Sequence, residues 1–110
     1  MQNRNLENLI PIALEVLEEH KSSLTKESNG HFSSFGPSVI MAGLHQTVIS
    51  YEDKKGYVNN IILKVYNKKY NTNHSSLSNL VTTNSLIVKN QILDIVIACK
   101  LAIRTIALSE

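Results

Sequence analysis

A chain of 110 residues is long enough for one domain built around a single hydrophobic core. Apolar residues make up 43% of it and aromatic residues 5%, with no tryptophan, so the core must come from Ile, Leu and Val. The formal charge of +2 is too small to indicate a nucleic-acid-binding protein by itself. The single cysteine excludes a disulfide framework, and we expect Cys99 to be a buried small hydrophobic side chain rather than a nucleophile.

Neither end of the sequence carries a recognisable targeting or membrane signal. The first 20 residues lack a basic region followed by an unbroken apolar run, because Glu7, Pro11 and Glu15 interrupt the apolar residues. The most apolar segment, 86–108, is interrupted by four charged residues, which disfavours a membrane span. We expect a soluble, cytoplasmic chain with no membrane partner, and we expect residues 1–110 to form a single helical domain.

The first half of the chain contains two stretches with helical apolar spacing. In residues 6–24 apolar side chains recur every three or four positions, which predicts an amphipathic helix with Pro11 in its first turn or at a kink. Residues 26–30 lack this periodicity and predict a loop. A second helix is predicted over 32–51, although it contains Gly36, Pro37 and Gly43. An interior glycine costs about 1 kcal/mol and an interior proline about 3, so these residues need an explanation.

The second half predicts two further long helices and a short one. Residues 57–70 have helical apolar spacing, 71–76 are polar, and 77–81 can hold a short helix. Asn84 or Ser85 can cap a last helix that runs to about residue 108. Its predicted apolar stripe is Leu86, Leu93, Val96, Ile97, Leu101 and Leu108. We therefore predict an all-α fold, a compact bundle of four long helices and one short helix.

Catalytic and metal-binding patterns are not found in the sequence. The histidines His20, His31, His45 and His74 are scattered, and no pair has the spacing that gathers metal ligands on one helix face. The serines lack a GxSxG turn and the glycines lack a phosphate-binding loop. We expect no enzyme activity, no metal and no cofactor. A small hydrolase would require His31, His45 or His74 to meet a carboxylate in a concave pocket.

A group of lysines is the most informative charged feature. Five of them fall between residues 54 and 69 among several asparagines, and Lys64 and Lys68 share one face of the third predicted helix. Such a face can follow a phosphate backbone, although on spacing alone a solvated helix face is the simpler interpretation. A second basic pair, Lys100 and Arg104, lies on the last helix with the same two interpretations.

Three tyrosines lie among or next to these lysines, at Tyr57, Tyr66 and Tyr70. Aromatic side chains in such positions can stack on the bases of a single strand. The simpler interpretation is that Tyr66 and at least one neighbour close the core with their hydroxyl groups directed outward.

The segment of residues 32–52 resembles a known family. The order of an aromatic residue, then Pro37, Ile40, Gly43-Leu44 and an apolar turn ending at Tyr51 is similar to the small subunit of the Cmr-type (type III-B) CRISPR effector complex. The short helical length, the amphipathic first helix and the segment 101–110 are also similar to that family.

The resemblance departs from the family at two positions. The family tends to have leucine before the proline and asparagine before Gly-Leu, where this chain has Gly36 and Ala42. The Gly36 difference leaves open whether the helix is continuous through Pro37. Pro37, Gly43 and Leu44 are expected to be helix-packing residues. At Gly43 two explanations stay open, which are close approach of a neighbouring helix and relief of crowding inside the domain's own core.

The resemblance implies a non-catalytic scaffold. In that family, copies of the small subunit stack along the guide-RNA filament beside the other subunits and help to hold the guide RNA and target RNA. The protein would contact the RNA backbone, because sequence recognition in such complexes comes from guide pairing. The residues expected to make these contacts are Lys54, Lys55, Lys64, Lys68, Lys69, Lys100 and Arg104.

A second hypothesis from a different class is a helical protein-interaction adaptor with no RNA role. In that case the apolar stripe of one helix would dock on a partner protein. An exposed apolar patch without a basic face converging on it would favour the adaptor.

Overall fold

The computed structural model describes residues 3–82 and 85–106, and side chains from residue 6 onward within those ranges. It contains six α-helices and one turn of 3-10 helix there. The α-helices are α1 Asn3–Glu19, α2 Ser28–Ala42, α3 Leu44–Lys54, α4 Gly56–Tyr70, α5 Leu77–Val81 and α6 Leu86–Ile103, and the 3-10 turn is Lys21–Ser23.

The predicted all-α fold is confirmed, since no β-strand is present in the two described ranges. The predicted number of long helices is wrong by one. The stretch 32–51 was expected to form one helix, but Gly43 divides it into α2 and α3, so five long helices accompany the short α5. The expected loop at 26–30 is also shorter, because α2 already begins at Ser28.

The core lies between α1, α2, α4 and α6. α1 buries Leu9, Ala13, Val16 and Leu17 and packs mainly along α6. α6 buries a face that includes Ile92, Ile95, Cys99 and Ile103, and it also packs against α2 and α4. The side chains of Phe32 and Phe35 fill the space beside α6, with no exposed surface. As expected, aliphatic residues supply most of this core.

Gly43 ends α2 and begins α3 because of its backbone conformation. Its φ of 94° and ψ of 157° lie in a region that is essentially restricted to glycine. A Cβ atom added to Gly43 would meet no described atom within 4 Å. Two explanations for the glycine are therefore wrong within the described chain. Gly43 does not relieve crowding in the domain's own core, and it does not allow a neighbouring helix to approach closely. The glycine is required because the chain turns there.

The helix α2 is continuous through Pro37, which answers the question that the sequence left open. Proline clashes with the Cβ atom and N–H of the residue before it when that residue is helical. Gly36 has no Cβ atom, so the pair Gly36-Pro37 fits a helix better than most dipeptides that contain proline. In α1, Pro11 is likewise inside the helix rather than in its first turn, and its ring is exposed to solvent.

The second half of the chain agrees closely with the prediction. α4 and α5 begin and end within one residue of the expected positions, and Asn71 in the left-handed conformation closes α4. The hydroxyl of Ser85 accepts hydrogen bonds from the N–H groups of Ile87 and Val88, so Ser85 caps α6. Asn84, the alternative cap, lies outside the described residues. The predicted bounds of α4 and α5 and the Ser85 cap are confirmed, because each depends on local signals.

The face of α6 that enters the core differs from the predicted stripe. Val96 is buried as expected, but Leu86 and Leu101 are exposed. The positions that replace them in the core include Ile92, Ile95 and Ala102. The helix ends at Ile103, earlier than expected, and Leu108 lies outside the described residues. Because 13 of the 18 positions of α6 are apolar, its periodicity does not select one face.

Candidate functional site

The lysines of the predicted RNA face are spread along α4 and its two ends. Lys54 and Lys55 lie just before α4, Lys64 is exposed in its middle, and Lys68 and Lys69 lie in its last turn. At about 1.5 Å per residue, the distance along α4 from its first turn to its last is roughly 20 Å. The structure therefore spreads these cations along the length of α4 rather than gathering them at one point.

Lys68 forms ion pairs with two carboxylates of α1. Its Nζ atom lies 3.1 Å from Glu15 Oε2 and 3.3 Å from Glu19 Oε2. The hydrogen bond to Glu15, together with Glu19 and the two negative charges, holds the pKa of Lys68 above its ordinary value despite some desolvation. One positive and two negative charges leave this site net negative. An approaching phosphate would meet Glu15 and Glu19 beside Lys68, so Lys68 is poorly placed for a phosphate contact.

The other predicted basic contacts have separate surroundings. Lys55 lies with its Nζ atom 4.8 Å from the centre of the Tyr51 ring, a cation–π arrangement. Lys54 is exposed at the end of α3, and Lys69 is half-buried. On α6, Lys100 is half-buried, and Arg104 is exposed immediately after the helix ends.

Two asparagines near these lysines are engaged inside the protein. The Asn59 side chain is buried, and its Nδ2 atom donates to the carbonyl oxygen of Val48, which ties α4 to α3. The Asn67 side chain bonds the segment after α4, where it donates to the carbonyl oxygen of His74. Neither amide is presented to a ligand on the surface of α4. Fewer asparagine side chains are therefore available beside the lysines to donate hydrogen bonds to a phosphate backbone.

The tyrosines support packing rather than base stacking. Tyr66 is only 6% exposed, its hydroxyl donates to Gln91 Oε1 at 2.8 Å, and its ring lies 4.7 Å from that of Tyr70. The Tyr57 ring packs edge-on against Phe32. These contacts agree with the simpler interpretation, in which Tyr66 and a neighbour close the core.

A pair of titratable side chains connects α2 and α4. The Tyr57 hydroxyl oxygen and His31 Nδ1 are 2.6 Å apart, and the Tyr51 hydroxyl donates to the His31 carbonyl oxygen. Burial raises the pKa of Tyr57, while a hydrogen bond from Ser28 lowers it and the charge of Glu27 raises it. A raised pKa keeps the hydroxyl protonated, so this pair holds two helices together and does not supply a phenolate nucleophile.

Other groups that chemistry would require are not assembled in the described part of the chain. No cluster of three or more His, Cys, Asp or Glu side chains that could hold a metal ion is found there. The Cys99 thiol is fully buried, and burial raises its pKa to about 12. This burial confirms the prediction of a small hydrophobic side chain. In the same ranges no helix is long and apolar enough to cross a membrane.

A groove opens where the first turns of α3 and α6 meet α5. Its volume is about 280 Å³, just below the roughly 300–1,000 Å³ of typical small-molecule pockets. It is lined by Gly43, Leu44, His45, Val81, Ser85, Leu86 and Lys89. The described lining contains apolar, polar and basic side chains and no acidic one. A single apolar side chain with a short flanking segment suits this volume better than a whole cofactor.

Exposed apolar side chains lie in the two chain segments that contribute residues to this groove. The structure exposes six large hydrophobic residues within the described ranges, and four of them are in the two chain segments that border the groove. Ile40 and Met41, just before Gly43, are 78% and 87% exposed, and Leu86 and Ile87 are 69% and 70% exposed. We call these four residues together with the groove the α3/α6 surface. From the sequence, Leu86 is predicted to lie in the core, and the surface is not predicted, because it forms only where two distant segments meet.

Comparison with known proteins gives no match to a family model, to a curated protein or to a solved structure. The resemblance to the Cmr small subunit therefore remains a hypothesis that rests on the sequence segment itself.

Proposed function

We propose that this chain is a non-catalytic helical subunit of a larger assembly, and specifically the small subunit of a type III-B CRISPR effector complex. The observation that carries the subunit role is the α3/α6 surface. Four exposed large apolar side chains in two segments that contribute to one groove are typical of a contact surface. The segment with the family resemblance, which includes Pro37, Ile40 and Gly43-Leu44, forms half of that surface.

The proposed contact is with the RNA backbone alone. It uses one basic residue fewer than the sequence suggested, because Lys68 is paired with carboxylates. Lys54 and Lys55 lie just before α4, and Lys64 and Lys69 lie within it, and none of them contacts a carboxylate of the described residues in the way Lys68 does. Together with Lys100 and Arg104, they are our candidates. A net charge of +2 gives one copy little affinity for RNA, so binding would depend on several copies and on the other subunits. Its partners would be those subunits, further copies of itself, guide RNA and target RNA.

The first experiment is affinity purification of the tagged chain from its host, followed by identification of bound proteins and RNA. We expect larger subunits and a guide RNA to purify with the parent chain. Replacing Met41 by Asp should release them without unfolding the chain, because Met41 is exposed and α2 ends directly after it. Ile49→Asp, on the exposed part of α3, is the matched control. Purification of the chain without RNA or larger subunits would exclude this function.

The second experiment measures target-RNA affinity of the reconstituted complex at several salt concentrations. Each phosphate contact contributes about 0.7 to the log–log salt slope for a single strand, so Lys64→Glu should flatten the slope by roughly that amount. Lys68→Glu should change it less, because Glu15 and Glu19 already neutralise Lys68. Equal effects of the two substitutions would contradict the assignment of separate roles. No effect of Lys64→Glu would remove the middle of α4 from the RNA interface.

The helical adaptor is retained as a second candidate, because a specific observation favours it. The α3/α6 surface carries four exposed apolar side chains, and the lysine in the described lining of its groove, Lys89, is not one of the predicted RNA-contacting residues. Exposed apolar side chains around a groove that lacks the predicted RNA-contacting residues are expected of a protein-binding surface. Purification of partner proteins with no RNA would favour the adaptor over the CRISPR subunit.

A further inference from the structure

The groove on the α3/α6 surface combines an apolar floor with a basic rim. Leu44, Val81 and Leu86 supply the apolar part, while His45 and Lys89 supply polar groups that donate hydrogen bonds. Lys89 follows Leu86 by three positions, so both project from the same side of α6. The lining therefore favours a ligand in which an apolar group lies next to a group that accepts hydrogen bonds.

The sign of the local electrostatic potential strengthens this selection. The described lining contains no acidic residue, and the first turns of α3 and α6 both lie at the groove. Helix starts carry a partial positive charge, which adds to the charge of Lys89. The first turn of α3 also lacks a side-chain cap, because Gly43 stands at the capping position. A carboxylate is thus favoured at this rim, and a cation is disfavoured.

We propose that the groove binds a short acidic peptide segment of a partner protein, with one apolar side chain in the groove and an adjacent carboxylate on Lys89 and His45. The flanking Ile40, Met41 and Ile87 would cover the apolar residues beside that anchor. This inference rests on the proposed subunit role only in requiring a protein partner, and it requires no RNA.

Size and polarity favour a peptide over the other occupants. A volume of about 280 Å³ is small for a cofactor and suits one or two side chains. RNA would use the cation but would leave the leucines and the flanking apolar residues in contact with phosphate and sugar. A second copy of the chain could occupy the groove only if it presented an apolar residue and an adjacent acidic residue on one surface.

The test uses the full chain, labelled with ¹⁵N, and three short peptides. The first contains two leucines followed by two glutamates, the second replaces the glutamates with lysines, and the third replaces the leucines with alanines. We expect the first peptide to bind with a Kd on the order of 0.1–1 mM, as is reasonable for one small groove. Amide shifts should be confined to residues around Leu44, Val81 and Leu86. The lysine peptide should bind about fivefold more weakly, which corresponds to the loss of one exposed ion pair.

Two variants separate the apolar contribution from the charged one. Lys89→Glu should reverse the preference, so that the lysine peptide binds more tightly than the glutamate peptide. Leu86→Ala should weaken both, and it should leave the fold intact because Leu86 is exposed. The matched controls are Lys21→Glu, an exposed lysine of the 3-10 turn, and Ile49→Ala, an exposed apolar residue of α3. Both controls should bind like the parent.

Several outcomes would overturn the inference. Equal binding of the glutamate and lysine peptides, or a preference that Lys89→Glu leaves unchanged, would remove the carboxylate from the proposal. Displacement of the peptide by a short single-stranded RNA at lower concentration would identify phosphate as the ligand. Self-association in sedimentation that Leu86→Ala abolishes would identify a second copy as the occupant. Because the peptide titrations require no guide RNA and no other subunit, their failure would leave the purification result for the proposed function unaffected.

Discussion

Substitution of Gly43 separates two physical explanations for the glycine. If the backbone conformation is the reason, alanine and leucine should be almost equally unfavourable, since open space surrounds the position of an added Cβ atom. Holding a non-glycine residue in this region costs about 1–3 kcal/mol. Replacing glycine also reduces the conformational entropy of the unfolded chain, which stabilises the fold by about 0.4–1 kcal/mol. We therefore expect the free energy of unfolding to fall by roughly 1–2 kcal/mol.

The assay is thermal and chemical unfolding of the parent, Gly43→Ala and Gly43→Leu. A loss of about 1–2 kcal/mol should lower Tm by roughly 4–12 °C for a domain of this size. Gly30→Ala is the matched control, because Gly30 is exposed inside α2 and lacks a positive φ. There alanine should stabilise the chain by about 0.5–1 kcal/mol. A harmless Gly43→Ala beside a severe Gly43→Leu would refute the conformational explanation and restore close approach of a helix.

Two further predictions concern buried titratable groups. Because burial raises the pKa of Tyr57, the folded state holds that proton more tightly than the unfolded state. The stabilisation that protonated Tyr57 contributes to the folded state is therefore complete below pH 10, and it is lost as the pH rises through the raised pKa. Urea unfolding at pH 7, 10 and 11 should show this decline, and Tyr57→Phe should reduce it while costing about 1 kcal/mol at pH 7 through the lost contact with His31. Constant stability up to pH 11 would contradict this reasoning. The Cys99 thiol, with a pKa near 12, should not react with a disulfide reagent at pH 8 until the chain unfolds. Fast labelling of the folded chain would show that Cys99 is accessible.

Local signals explain which parts of the fold could be predicted from the sequence. The bounds of α4 and α5 and the Ser85 cap depend on neighbouring residues alone, and they agree with the structure. Gly43 was ambiguous because apolar spacing continues on both sides of it, so a break and an interior glycine give the same pattern. The buried face of α6 could not be selected, because 13 of its 18 positions are apolar and tertiary packing decides between them.

The candidate sites were harder to predict because they combine distant segments. Lys68 is separated from Glu19 by 49 residues, and only the packing of α4 on α1 brings them together. Spacing along α4 correctly placed Lys64 and Lys68 on one face, but it could not show that carboxylates occupy Lys68. The α3/α6 surface has the same origin, since Leu44 and Leu86 become neighbours only in the folded chain.

The break at Gly43 is also what creates the surface on which both proposals depend. A continuous helix from Ser28 to Lys54 would have no start at Leu44, and therefore no first turn of α3 at the groove. Because the chain turns at Gly43, α2 ends with Ile40 and Met41 exposed and α3 begins beside Leu86 and Lys89. A local departure from the best helix-forming sequence is expected at functional positions more than in a scaffold. Gly43, which interrupts the predicted helix, is thus the residue that assembles the candidate binding surface.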